Sequence, residues 1–422
     1  MKSPLLLIFV VLPFALFTQS ISLDSCLNLA EKVYPLKSKE DLLRQSATLN
    51  NQITKSSYYP SLKLNAQATW QTDVTMLEME NPIFKNMLPE ISKDQYNVYA
   101  ELNQTIWDGG VSKNKRELEN AGLKTEIQQL SVDIFNYKTQ LVDLYFAVLN
   151  MQKQIEIIQM KTKQIDNLIG DLKSAIENHI AIESQLDILV AEKMTIQQII
   201  TELRYESKAL IKLFSQYCNT NFDENIVFLA PSPEINNESD IKRPELTLFD
   251  YNSKQILAGK KMLKSSRTPK LLGFARAGYG RPGLNMMSND FEPYALIGAK
   301  FVWTPWEWNK SKSEIQILEI KSDIVRNQQD VFLFHQNAKI DAQKQRILKI
   351  KALMELDENI LELRESITSS YRAQLINGVI KSSEYLNVLN DENTQRLNME
   401  LHQLMLFQEI VKYNLLKGEI YE

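Results

Sequence analysis

His179, His335 and His402 are the only histidines of the chain, and they are scattered with no metal-ligand spacing between them. Two cysteines, Cys26 and Cys218, are too few for a disulfide framework or a four-cysteine zinc site. A bond between the two is open on sequence grounds, but nothing in their spacing supports it. No glycine loop is built to cradle phosphate, and no Gly-x-Ser-x-Gly turn presents a nucleophile. Met286-Met287 reads as loop rather than as a copper path. Trp303, Trp306 and Trp308 could stack a ligand, but they fit better at the edge of a membrane strand, where aromatic girdles belong. The expectation is therefore a protein that is no enzyme and carries neither cofactor nor metal.

The elements around these residues have to explain the chain instead. Basic and acidic side chains nearly cancel, 48 against 52, and this removes the basic footprint of a nucleic-acid partner. Only 12 glycines in 422 residues point to much helix and few tight turns. The negative mean hydropathy argues against a bundle of membrane-spanning helices. Met1-Lys2, the apolar run Leu5 to Phe17 and polar Thr18-Gln19-Ser20 look like a secretory leader over residues 1–21, cut around Ser20 to Ser22. At 13 residues the run is short of the ~20 needed to span a bilayer. Cys26 lies too far beyond it to read as a lipid-attachment cysteine.

The strongest signal is an internal duplication. Trp107-Asp108-Gly109-Gly110-Val111-Ser112-Lys113 is answered 199 positions later by Trp306-Glu307-Trp308-Asn309-Lys310-Ser311-Lys312. Asn178-His179-Ile180 faces Asn377-Gly378-Val379 at the same offset, and Tyr59-Pro60-Ser61-Leu62 matches Thr268-Pro269-Lys270-Leu271 at an offset of 209. A first repeat over residues 22–218, a polar connector over 219–243 and a second repeat over 244–422 follow. Each repeat should run short helix, strand pair, long helix, returning helix. Leu62, Leu64, Ala66, Ala68 and Trp70 alternate with polar residues, as do Tyr96, Val98, Ala100 and Leu102; period two marks strands with one apolar and one wet face. Leu271 to Gly280 and Tyr294 to Trp303 take the same places in the second repeat, and residues 72–95 and 281–293 read as exposed loops.

After each strand pair the period changes to three and a half. Leu123, Ile127, Leu130, Ile134, Tyr137, Leu141, Leu144, Val148, Met151, Ile155 and Ile158 step by four and three, which is a coiled-coil seam. A continuous helix from Ser112 to Glu177 would be about 100 Å long. Leu186, Leu189, Ile196, Ile200, Leu203, Leu210 and Phe214 form the stripe of the returning helix. The second repeat has Leu353, Leu356, Ile360, Leu363 and Ile367, then Leu397, Leu401, Leu404, Val411 and Leu415.

Four strands of about ten residues suit a tilted bilayer crossing but cannot close a barrel, and lipid does not tolerate open edges. If the strands are transmembrane, the chain must oligomerise. Two copies would give eight strands and a filled interior; twelve strands from three copies, about 4.8 Å apart and tilted by about 40°, enclose a backbone radius of roughly 12 Å.

The tandem halves, the Tyr-Pro-Ser-Leu strand opening, the Trp107-Asp108-Gly109-Gly110 turn and the Asn377-Gly378 turn together resemble the TolC-type outer-membrane efflux family. Trp306-Glu307 keeps the first part of the turn motif, whereas Trp308-Asn309 departs from its glycines. The resemblance implies a mainly α protomer with a small β part, four strands and long coiled-coil hairpins, in a trimeric channel. It also implies outer-membrane lipid around the barrel and a tunnel in the periplasm. The partners it implies are a periplasmic adaptor and an inner-membrane pump or ABC transporter. The chain would be the passive exit duct. In that family acidic residues early in the final helix constrict the tunnel, and the matching positions here are Glu384 and Asn387, with Asp391 one turn on. The turns around His179, Ile180 and Ser184 and around Gly378, Val379 and Ser383 are the expected adaptor contacts. The competing class is a periplasmic coiled-coil adaptor or spacer without a channel, which would use the hairpins but has no need of the strands.

Overall fold

The computed structural model describes residues 20–74, 91–179, 181–235 and 240–420. In chain order these form β1 (Ser20–Ile21), α1 (Leu23–Val33), α2 (Lys37–Ser56), β2 (Ser61–Trp70) and β3 (Asp94–Trp107), then α3 (Val111–Glu177) and α4 (Glu183–Tyr217). β4 (Val227–Phe228), α5 (Pro244–Ser266), β5 (Lys270–Arg281), β6 (Glu292–Val302), α6 (Lys310–Ile376) and α7 (Ser382–Lys417) follow. The fold class is the expected one, with a strand pair before each long hairpin. α3 and α6 each hold 67 residues, so the duplication extends to helix length. Among the described residues no helix is long and apolar enough to cross a membrane. The chain divides into two compact units, one from Ser38–Leu130 and Glu245–Val331, the other from Met1–Lys37, Ser131–Pro244 and Phe332–Glu422.

The first unit holds a four-stranded antiparallel sheet in the order β2-β3-β5-β6. Because β3 pairs with β5, the strand pair of one repeat joins that of the other. β2 and β6 are left at the edges. The alternation read in β2 and β3 survives in the register: Leu62, Leu64 and Ala66 stand opposite Leu102, Ala100 and Val98. Strand ends lie within two residues of the expected limits, except that β3 runs on past Leu102 to Trp107. Part of the loop expected over residues 72–95 lies outside the described residues.

In the second unit the seam expected along α3 broadens. Between residues 130 and 149 the positions Val132, Phe135, Val142, Tyr145, Phe146 and Leu149 are buried as well as Leu130, Tyr137, Leu141 and Val148, while Leu144 is only half-buried. The reason is the number of elements that converge there. Leu23, Cys26, Leu27 and Ala30 of α1, Phe214 of α4, Val411 and Leu415 of α7, and the strands β1 and β4 all pack on this stretch. β1 and β4 pair in parallel, and the Leu229 amide donates to the Ile21 carbonyl at 3.0 Å. The Tyr145 hydroxyl lies 2.6 Å from the Leu229 carbonyl oxygen and 3.0 Å from that of Ile21. Ser20 and Ile21 therefore belong to the fold, and a leader ending at residue 21 would take this strand with it. A cut after Ser20 leaves Ile21 in place. Cys26 and Cys218 are free, buried thiols of the same core, and burial pushes Cys218 up to about 12. The stretch expected as a connector is packed: Ile226 and Phe228 enter the core, and the Lys242 amide donates to the Lys417 carbonyl at 2.7 Å.

The stripe expected to seal α6 faces elsewhere. Leu356, Ile360, Leu363 and Ile367 are exposed. The buried positions are Gln336, Ile340, Gln343, Ile347, Ile350, Asp357, Leu361, Thr368 and Leu375, a second heptad series on the same helix. Its polar members are satisfied across the hairpin. Gln343 donates to the Glu409 carbonyl at 2.9 Å, and Asp357 accepts from Gln395 at 2.9 Å and lies 2.5 Å from His402 Nδ1. α6 thus carries one seam for α7 and another that nothing among the described residues covers.

The breadth of packing around α3 makes its centre the most sensitive part of the unit. Leu141→Ala should cost about 2–5 kcal/mol, since the side chain is fully buried. Leu144→Ala should cost clearly less. The order of their helical melting midpoints by circular dichroism checks this.

Candidate functional site

The sheet is the first part of the site, and its polarity is reversed from that of a soluble fold. Along β3, Tyr96, Val98 and Leu102 are exposed, while Asn97, Tyr99, Glu101 and Asn103 on the other face are partly covered. Leu62 and Leu64 on β2 and Ile297 and Phe301 on β6 are likewise exposed. Water would drive such a face inward; hydrocarbon would not. The polar face carries a cross-strand row in which Lys63, Glu101 and Arg276 stand in register. Arg276 Nη2 lies 2.6 Å from Glu101 Oε2, and its guanidinium sits 4.3 Å from the Tyr99 ring centre. Asn103 donates to the other Glu101 oxygen at 2.8 Å, and the Tyr294 hydroxyl donates to Asn97 at 2.6 Å. Aromatic residues gather at both ends of the strands. Trp70, Tyr96, Tyr279 and Phe291 lie at one end, with Arg281 over the rings of Tyr96 and Phe291 and bridged to Asp94. Phe301, Trp303, Trp306 and Trp107 lie at the other. Two girdles flanking an apolar band form the pattern that membrane β-barrels present to lipid.

The turn from β3 into α3 is built around Asp108. Its carboxylate accepts from the Gly110 amide at 2.9 Å and the Ser112 amide at 2.7 Å, so it caps the first turn of the helix. The Tyr58 hydroxyl, at the end of α2, donates to the same carboxylate at 2.5 Å. Burial alone would raise the Asp108 pKa, but the bonds from Ser112, Tyr58 and Gly110 outweigh it and hold the carboxyl below the ordinary aspartate value. Tyr58 is pushed up, first by its bond to that carboxylate and then by burial. Gly109 and Gly110 adopt φ of 68° and 86°, and the Gly109 carbonyl accepts from Thr268 at 3.0 Å. In the second repeat Trp306 is exposed, Glu307 takes the place of Asp108, and Trp308 and Asn309 hold φ of 48° and 61° without being glycine. Tyr58 had no distinguishing signal in the sequence beyond its position next to the repeated Tyr-Pro.

In the other unit the hairpin tips repeat one another. Asn178 and Asn377 each donate from the side-chain amide to the carbonyl four residues back, at 2.8 Å, and His179 and Gly378 follow with φ of 61° and 73°. His179, Ser184, Val379 and Ser383 are exposed. Ile180 lies outside the described residues. Beyond the second tip, Glu384, Asn387 and Asp391 share the exposed face of α7, while Ser382, Tyr385, Leu386 and Leu389 are buried on the other. Asp391 is already bridged to Arg364 at 2.6 Å. The hairpins are tied together by Arg372 to Asp171 at 2.7 Å and by Asn393 to Gln164 at 3.1 Å, contacts without a pattern in the sequence. Among the described residues no three histidine, cysteine, aspartate or glutamate side chains gather as metal ligands.

A strand pair before each long hairpin is the protomer fold of the TolC-type outer-membrane channels. Three solved structures place the likeness. The outer membrane protein VceC of Vibrio cholerae superposes with a TM-score of 0.67 at 11% identity, over 95% of this chain and 97% of that one. The CmeC outer membrane channel of Campylobacter jejuni gives 0.65 at 13%, over 94% and 85%. The open state of the MtrE outer membrane channel of Neisseria gonorrhoeae gives 0.64 at 10%, over 94% and 88%. Identities this low establish the fold. No family model matches the chain, and no curated protein matches it in sequence.

Replacing Asp108 by Asn should cost about 1 kcal/mol by weakening the cap, visible as a lower melting temperature at neutral pH. Because the folded pKa is depressed, this stabilisation is complete above the ordinary value of about 3.9 and fades as pH falls through the lowered one. The wild type and Asp108→Asn should therefore converge in melts run at progressively lower pH below ~4.

Proposed function

We propose that the protein is an outer-membrane exit duct that acts as a passive conduit rather than an enzyme. Three copies close twelve strands into a barrel, and the hairpins continue it as a tunnel in the periplasm. Substrate arrives from an inner-membrane pump or ABC transporter through a periplasmic adaptor. The observation that carries this reading is the sheet: its apolar face is exposed, the polar residues of its central strand β3 are partly covered, and β2 and β6 end it as open edges. Only lipid outside, water inside and further strands at both edges satisfy all three. The uncovered heptad series of α6 supports it, since a stripe of Leu356, Ile360, Leu363 and Ile367 needs a helix from another copy.

In this reading the tunnel narrows at the face shared by Glu384, Asn387 and Asp391, and the adaptor meets the tips at His179, Ile180, Ser184, Gly378, Val379 and Ser383. The leader ends at Ser20, which keeps Ile21 in its strand. Glu384 is the more effective charge at the narrowing, because Arg364 already neutralises Asp391.

The duct is tested by fractionation and by planar bilayers. The expected result is a heat-sensitive trimer in the outer membrane that forms discrete channels after purification. A soluble periplasmic monomer would replace the reading with that of an adaptor or spacer. In the same bilayers Glu384→Gln should weaken block by divalent cations, and Asp391→Asn should have the smaller effect. Equal effects, or none, would remove these residues from the aperture.

A further inference from the structure

The duplication lets each position be compared with its counterpart in the other half. In the first half the strand-to-helix turn is closed by the second half. Gly109 lies so near the α5–β5 turn that a Cβ there would come within 1.6 Å of Thr268 Oγ1 and 3.0 Å of the Pro269 carbonyl oxygen. Counterparts of this joint stand apart within a single chain. Trp308 occupies the place of Gly109 and is 85% exposed, and Tyr59-Pro60 occupies the place of Thr268-Pro269, with Tyr59 68% exposed.

The same asymmetry runs into the helices on either side. α5 reaches α3 through Lys261, 3.5 Å from Glu117, and through Gln255, whose amide nitrogen would be 3.2 Å from a Cβ on Gly122. Ala258 on α5 is 8% exposed, whereas its counterpart on α2, Leu49, is 58% exposed. Leu42 and Ile53 are exposed beside Leu49, and so are Ile317 and Ile320 near the start of α6. Apolar side chains thus lie bare on both elements whose counterparts meet inside the chain.

We infer that Trp308 packs on Tyr59 and Pro60 of a second copy of this chain, an aromatic joint in the position that Gly109 and Thr268 hold within one copy. The inference rests on the multi-copy duct and specifies where its copies lock. It continues the sheet, since β6 then meets β2 of the next copy as β3 meets β5. A cleft of about 770 Å³ beside Trp306, Trp308, Pro305 and Arg267 provides the room. The change of residue type has a physical reason. The inner joint is tethered by the chain, so glycine against threonine suffices. A joint between copies must also offset lost translational and rotational freedom, and large aromatic surfaces supply more buried area. The backbone points the same way. Trp308 holds a left-handed φ that a bulky side chain disfavours, whereas Asn309 tolerates its own, and such strain persists where surrounding contacts compensate it.

The test uses the full-length protein in its own membrane. Trp308→Cys and Tyr59→Cys are combined and treated with a short bismaleimide, with each single variant as a control; native Cys26 and Cys218 are buried. The expected result is a ladder ending in a covalent trimer on denaturing gels, seen only with the double variant. A trimer by native mass spectrometry that does not cross-link overturns the joint and leaves the duct standing. A wild type that is monomeric throughout overturns both. Trp308→Gly gives an independent reading, because it relieves the strain while removing the contact. The joint requires the trimer to dissociate at a temperature lower by roughly 5 °C or more. An unchanged or higher dissociation temperature overturns it.

Discussion

A backbone amide in hydrocarbon must find its partner inside the protein, and this constraint shapes the rest of the molecule. The four-stranded sheet satisfies it between β2 and β6 but not beyond them. Its lipid-suited face cannot be turned inward without burying Lys63, Glu101 and Arg276 on the outside of a barrel, against the acyl chains. In the proposed duct, closure by further copies satisfies both demands. Each strand pair leads directly into a hairpin, so in that duct the order of the strands would set the order of the helices too.

Much of this was legible in the residues. Alternation in Leu62 to Trp70 and in Tyr96 to Leu102 identified strands because a pleat has a period of two whatever solvent each face meets. The heptads of α3 and α4 identified a hairpin, and the seam residues Leu189, Ile196, Ile200, Leu203 and Phe214 are buried as their spacing required. Periodicity does not say which of two stripes meets which neighbour. Along α6 the more apolar series proved to be the exposed one, and the chain's own seam runs through Gln336, Gln343, Asp357 and Thr368, which a search for apolar residues passes over. The β1–β4 pair is two residues long and has no period at all. The Asp108 turn was visible as a repeated motif, but its bond to Tyr58 joins residues 50 positions apart and needs the fold to be seen. The face of α7 that carries Glu384, Asn387 and Asp391 was singled out through a resemblance, and the Arg364 bridge that sets Asp391 apart from Glu384 is a property of side-chain placement alone.

Duplication supplied two copies of one design and then let them diverge where their surroundings differ. Gly109 and Trp308 share a backbone conformation, as do Gly378 and His179, yet only one member of each pair is the residue that the conformation favours. The departures fall at exposed positions, where a side chain can be useful to something outside the chain.

The polar seam of α6 and α7 has a consequence for motion. The first hairpin is held by Ile165, Leu168, Leu172, Leu189 and Ile196, and separating it exposes oil-like surface to water. The second is held in good part by an amide, a carboxylate and an imidazole, whose bonds water can take over as they part. Where these bonds hold it, the second hairpin can therefore part at less cost than an apolar seam would, while nearer its tip Leu375, Tyr385, Leu386 and Leu389 join the same apolar cluster as the first hairpin.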